Sequence, residues 1–69
     1  MPLTMAKTGE EQLIKKVGGK PEVRQFIENL GLIPGATVTV ITAIGGNVIV
    51  LIKNSRVAIS REMANKILV

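Results

Sequence analysis

Residues 28 to 40 read ENLGLIPGATVTV, and no other stretch constrains the fold as tightly. Before it, Val23, Phe26, Ile27 and Leu30 recur at i, i+3, i+4 and i+7, the spacing of one helical face. After it the chain alternates as TVTVIT, the period of a strand. Two glycines and a proline stand between the two periods. Gly31 falls where a left-handed residue ends a helix at little cost, and Leu32 where an apolar side chain folds back onto the last turn. Pro34-Gly35 suits a type II turn, because proline presets φ at the first central position and glycine accepts the positive φ of the second. A helix that starts at Pro21 and stops at Gly31 is therefore expected to turn sharply into a strand.

The remaining elements follow from similar signals. Pro21 fits the first helical position, where its missing N–H costs nothing, and Glu22 favours the helix dipole. Glu11 to Val17 reads as the first strand, closing on Gly18-Gly19, with a short lead-in strand around Leu3 and Met5. In TVTVIT, Val38, Val40 and Thr42 share one face, and Thr37, Thr39 and Ile41 share the other. Gly45-Gly46-Asn47 turns the chain into NVIVLIK, a strand apolar on both faces, and Lys53-Asn54-Ser55 turns it again into RVAI. Ser60 is an N-cap for one helical turn, REMANK, and ILV reads as a last strand. The expected fold is mainly β with a helical insertion, a small barrel whose closure removes exposed edges. At 69 residues it is read as one domain spanning 1–69. The ordering entropy of so short a chain, about 1.5 kcal/mol per residue, nearly matches what apolar burial returns. The 46% apolar content is the response.

Composition narrows the chemistry. There is no cysteine and no histidine, so the commonest zinc ligands and the usual neutral-pH general base are missing. Glu10, Glu11, Glu22, Glu28 and Glu62 are the only acids, and none stands i,i+3 or i,i+4 from another on a helix. Met5 and Met63 read as core fillers. Gly18-Gly19-Lys20 lacks the flanking glycine and hydroxyl of a phosphate loop. Ser55 and Ser60 have no base to activate them. No catalytic residue, metal ligand or cofactor is expected. The net charge is +4, but the basic residues form no block, and Phe26, the lone aromatic, lies on the helix face expected to be buried. A nucleic-acid groove with stacking rings is therefore not expected. MPLTMAKTGEE has no apolar signal region, and the longest apolar run, VIVLI, is far short of the ~20 residues of a membrane span. The chain is expected to be soluble and cytoplasmic, without membrane insertion.

Apolar surface is what remains. If Val48, Val50 and Ile52 face inward, Ile49 and Leu51 face out, near Ile41 across the hairpin. Either the helix or a coiled strand end covers them, or they form a partner-binding patch of Ile41, Ile49, Leu51 and Lys53.

Four segments carry a resemblance across nearly the whole chain: LTMAKTGEEQLIKKVGG, the corner NLGLIPGATVTV, the hairpin NVIVLIKNSRVAIS and the ending MANKILV, with Ala64, Ile67 and Val69 in an A-x-x-I-x-V pattern. In these the chain resembles the FeoA family, small cytoplasmic proteins of bacterial ferrous iron uptake. The resemblance implies an SH3-like β-barrel with a helical insertion. It implies an accessory role beside the membrane ferrous-iron permease, in contact with that permease's cytosolic GTPase domain. It supplies no catalytic residues. The same fold is similar to the C-terminal domain of metal-dependent repressors. A stand-alone regulatory module that binds a divalent transition metal through carboxylates is therefore the alternative.

Overall fold

The structure is a computed structural model that describes all 69 residues. Its strands are β1 (Glu11–Leu13), β2 (Lys16–Val17), β3 (Thr37–Ile44), β4 (Asn47–Ile52), β5 (Ser55–Ser60) and β6 (Ile67–Leu68). Its α-helices are α1 (Pro21–Asn29) and α2 (Arg61–Asn65). Two antiparallel sheets result, one in the order β1-β3-β4-β5 and one pairing β2 with β6. The fold is mainly β and SH3-like, with α1 inserted between the two sheets' strands. The expected edge-free closure is not reached, since β5 is bonded to β4 alone.

The strand expected over Glu11 to Val17 is one extended run divided between both sheets. β1 pairs with β3, and β2 pairs with β6. At the switch the Ile14 N–H donates to the Ala36 carbonyl (2.9 Å) and the Lys15 N–H to the Leu68 carbonyl (2.7 Å). Changing partners at one residue breaks the ladder, and alternation alone cannot reveal that. The lead-in strand is instead a 3-10 turn, Leu3–Met5, because the Met5 and Ala6 N–H groups bond back to Pro2 and Leu3. That turn buries Leu3 and leaves Met5 exposed. Thr4 Oγ1 donates to Asn65 Oδ1 at 2.6 Å, tying it to α2.

The corner forms as its residues dictate. α1 ends with Gly31 at φ 99°, and Leu32 is fully buried. The Ala36 N–H bonds to the Ile33 carbonyl at 3.0 Å, closing a turn whose second central residue, Gly35, has φ 91°. The Gly35 N–H reaches the Ile14 carbonyl (2.9 Å), so the corner is bonded to the point where the first strand changes sheets.

The core contains 14 buried residues, all apolar. Val38, Val40, Val48, Val50, Ile52 and Ile59 come from the inner face of the larger sheet. Val17 and Ile67 come from the smaller sheet, and Ile27 and Ala64 come from the helices. Ser60 caps α2 as expected, its Oγ accepting from the Met63 N–H at 3.2 Å.

Phe26 departs from expectation. Its neighbour Ile27 is fully buried and Val23 and Leu30 lean on the core, but Phe26 is 55% exposed. Successive residues of a helix point about 100° apart, and α1 meets the core through the stripe of Val23, Ile27 and Leu30. Ile27 occupies that stripe, so Phe26 is turned away from it.

Candidate functional site

The outer face of the β3–β4 hairpin is built by register. Thr39 stands opposite Leu51, which stands opposite Arg56 on β5; Thr42 stands opposite Ile49, which stands opposite Ala58. Between Val40 and Thr42 the pairing slips, leaving Ile41 as the extra residue of a bulge. The slip moves Thr42 off the face of Val38 and Val40, where unbroken alternation had assigned it, and sets it opposite outward-facing Ile49.

Val48, Val50 and Ile52 are buried as expected. Ile41, Ile49 and Leu51 are half-buried. The half-buried apolar residues that pack against the core are Ala6, Val23, Leu30, Ala36, Val57 and Met63; these three are not among them. Two further apolar residues on this face escaped the sequence reading. Leu13, opposite Thr37, is 53% exposed, and Ile44, opposite Asn47, is 63% exposed. Leu13 lies on a strand whose alternation was legible, whereas Ile44 faces out only because the bulge at Ile41 resets the phase of β3. Leu13 faces out because Ile14, one residue on, is buried in the core.

Lys53 is held in a two-residue turn. Lys53 and Asn54 have φ 48° and 66°, both left-handed, so the β4–β5 connection is a two-residue type I′ turn. Asparagine tolerates this conformation and lysine does so at a cost. Leu51, Lys53 and Asn54 line a shallow depression of about 150 Å³ with Glu11, Thr37 and Thr39. Lys53 and Leu51 therefore share one concavity, Ile49 lies one outward position further along β4, and Ile41 is set in the bulge beside Thr42.

The second concavity is a groove of about 540 Å³ between the two helices. Val23, Phe26 and Met63 form its apolar wall, and Lys20, Glu22, Glu62 and Lys66 stand at its rim. The sequence reading missed it because α1 and α2 lie far apart in the chain and only the fold places them side by side. Neither concavity gathers three or more carboxylates able to hold a metal ion. No helix is long and apolar enough to cross a membrane.

These features define a small SH3-like β fold with two helices, an apolar outer sheet face and a helical groove. The chain matches the FeoA domain family over residues 1–69 and belongs to that family. It is 38% identical over 68 residues to Fe(2+) transport protein A of Methanocaldococcus jannaschii, covering 99% of this chain and 83% of the relative. Among solved structures it is similar to an iron uptake regulatory protein, FeoA, with TM-score 0.87 and 26% identity, covering 97% of this chain and 91% of the other. A manganese-dependent transcriptional repressor shares the fold alone, with TM-score 0.86 and 16% identity, covering 97% of this chain and 39% of the repressor.

Proposed function

We propose that the chain is a non-enzymatic cytosolic accessory protein of ferrous iron uptake that binds the cytosolic GTPase part of the membrane iron permease. The contact runs through the outer hairpin face around Ile41, Ile49, Leu51 and Lys53. Family membership supports the link to iron transport. The observation that carries the surface is the half-exposure of Ile49 and Leu51 on a strand whose other face is fully buried. Aliphatic side chains held open to water in this way favour a protein contact. Lys53 on the same concavity, and a net charge of +4, favour an acidic partner surface.

The test is an amide NMR spectrum of the labelled protein titrated with the permease's soluble GTPase domain. Shifts or broadening confined to β3, β4 and their turns are expected. Leu51→Glu abolishes them while its own spectrum stays dispersed. Unchanged spectra at high partner concentration, or shifts centred on the helical groove, would overturn the assignment of this surface.

A further inference from the structure

We propose that the outer edge of β5 is a docking site for an extended acidic segment of another protein, which adds to the sheet as a fifth strand beside Arg56 and Ala58. This goes beyond the hairpin-face contact and does not depend on the identity of that partner.

The backbone geometry sets the site. A type I′ turn is flanked by a pair that exchanges both of its hydrogen bonds, here Ile52 and Ser55. Counting along the antiparallel register, Val57 and Ile59 also bond to β4, whereas the N–H and C=O groups of Arg56 and Ala58 point away from it. β5 pairs with no other strand, and no backbone bond outside the β4 ladder involves either residue. Both side chains are exposed, and Ala58 is too small to obstruct an incoming strand. A strand edge of this kind is a template for β-addition.

Charge selects the occupant. From Lys53 to Arg61 the chain carries Lys53, Arg56 and Arg61 and no acid. A second copy adding edge to edge would bring this basic segment against itself. An acidic strand instead sets a carboxylate opposite Arg56, a favourable cross-strand pair. Its other face extends the inner surface beside half-buried Val57, so alternating acidic and apolar residues fit both faces.

The probe is a blocked peptide of alternating glutamate and valine, titrated into the labelled full chain. The expected result is a shift of the Arg56 and Ala58 amide signals and their protection from hydrogen exchange. Arg56→Glu should remove the shift, and so should exchanging the peptide's glutamates for lysine. Of two further probes, one N-methylated on its glutamates and one on its valines, at least one must also lose it, because backbone pairing is the contact. Retention of the shift with both N-methylated probes would reduce the effect to charge attraction and overturn the proposal. So would shifts confined to the hairpin face or the helical groove, or no shift at millimolar peptide. Concentration-dependent protection of Arg56 and Ala58 without peptide would assign the edge to a second copy and overturn it equally.

Discussion

β4 has two faces made of the same kind of residue. Val48, Val50 and Ile52 are at most 4% exposed, while Ile49 and Leu51, interleaved with them, are half-exposed. On the inner face the core dictates size and shape, since protein interiors are packed to crystal density. On the outer face the fold asks only for a residue that suits a strand. The neighbouring β3 meets that demand with Thr37, Thr39 and Thr42 on the same outer face. Threonine has the β-branched shape that strands favour and is more polar. Isoleucine and leucine on β4 therefore exceed what the sheet requires, and this surplus is what the proposed partner contact uses.

The sharpest way to break this comparison is to truncate one residue on each face. Val50→Ala removes two methyl groups from a fully buried site, about 1.6 kcal/mol of transfer energy plus a cavity term, for a total of about 2–3 kcal/mol. Leu51→Ala, at a half-open site, should cost about 1 kcal/mol or less despite losing more atoms. Urea unfolding of both variants measures the gap. Equal losses would show that Leu51 is structural and would remove it from the binding surface.

The second test replaces the outer residues by what β3 already uses. Ile49→Thr with Leu51→Thr keeps strand propensity and should destabilise by about 1 kcal/mol, the span of the β scale. Binding of the GTPase domain should nonetheless fall at least tenfold, as the loss of two central apolar contacts implies. Calorimetric titration reads the affinity and thermal unfolding reads the fold. Full affinity in a stable double variant would move the partner surface off this face.

How much of this was visible in the sequence varies from residue to residue. The corner was legible because each of its parts is decided locally: Gly31 and Gly35 take the positive φ their positions demand. The inner face of β4 was legible because alternation is enough to predict it. The phase of Thr42 was not, since a bulge inserts one residue through pairing with a partner strand, and TVTVIT alone carries no mark of it. Phe26 was misplaced because helical spacing gives an apolar stripe but not its width. On the nine-residue α1 that stripe is narrow, with Ile27 buried and Val23 and Leu30 half-buried beside it. Alternation could propose the patch of Ile41, Ile49, Leu51 and Lys53, but not the depression that Leu51 and Lys53 share with Glu11, which forms only through the β1–β3–β4 order.

A third test acts on the inner layer without touching the outer face. Ser60 caps α2, which sets Ala64 into the core. Ser60→Ala should cost about 1 kcal/mol, the usual loss for a hydroxyl N-cap. Faster amide exchange should be confined to α2 and its neighbours, and binding at the hairpin face should be unchanged. Altered binding would couple the two layers that the comparison separates.

The smallest expected effect concerns Lys53, the one residue of the candidate surface held in an unfavourable backbone conformation. A non-glycine side chain in the left-handed region costs about 1–2 kcal/mol, and glycine relieves that cost but loses about 0.5–1 kcal/mol to its freer unfolded state. Lys53→Gly should therefore stabilise the fold by about 0.5 kcal/mol, a small rise in melting temperature. The same change removes a cation from the depression that Leu51 lines, so affinity for the GTPase domain should fall, and the fall should shrink as salt is raised. Opposite movement of stability and affinity would mark Lys53 as kept for contact at the expense of the turn. A stabilised variant with unchanged affinity would make the lysine incidental and confine the proposed surface to its aliphatic residues.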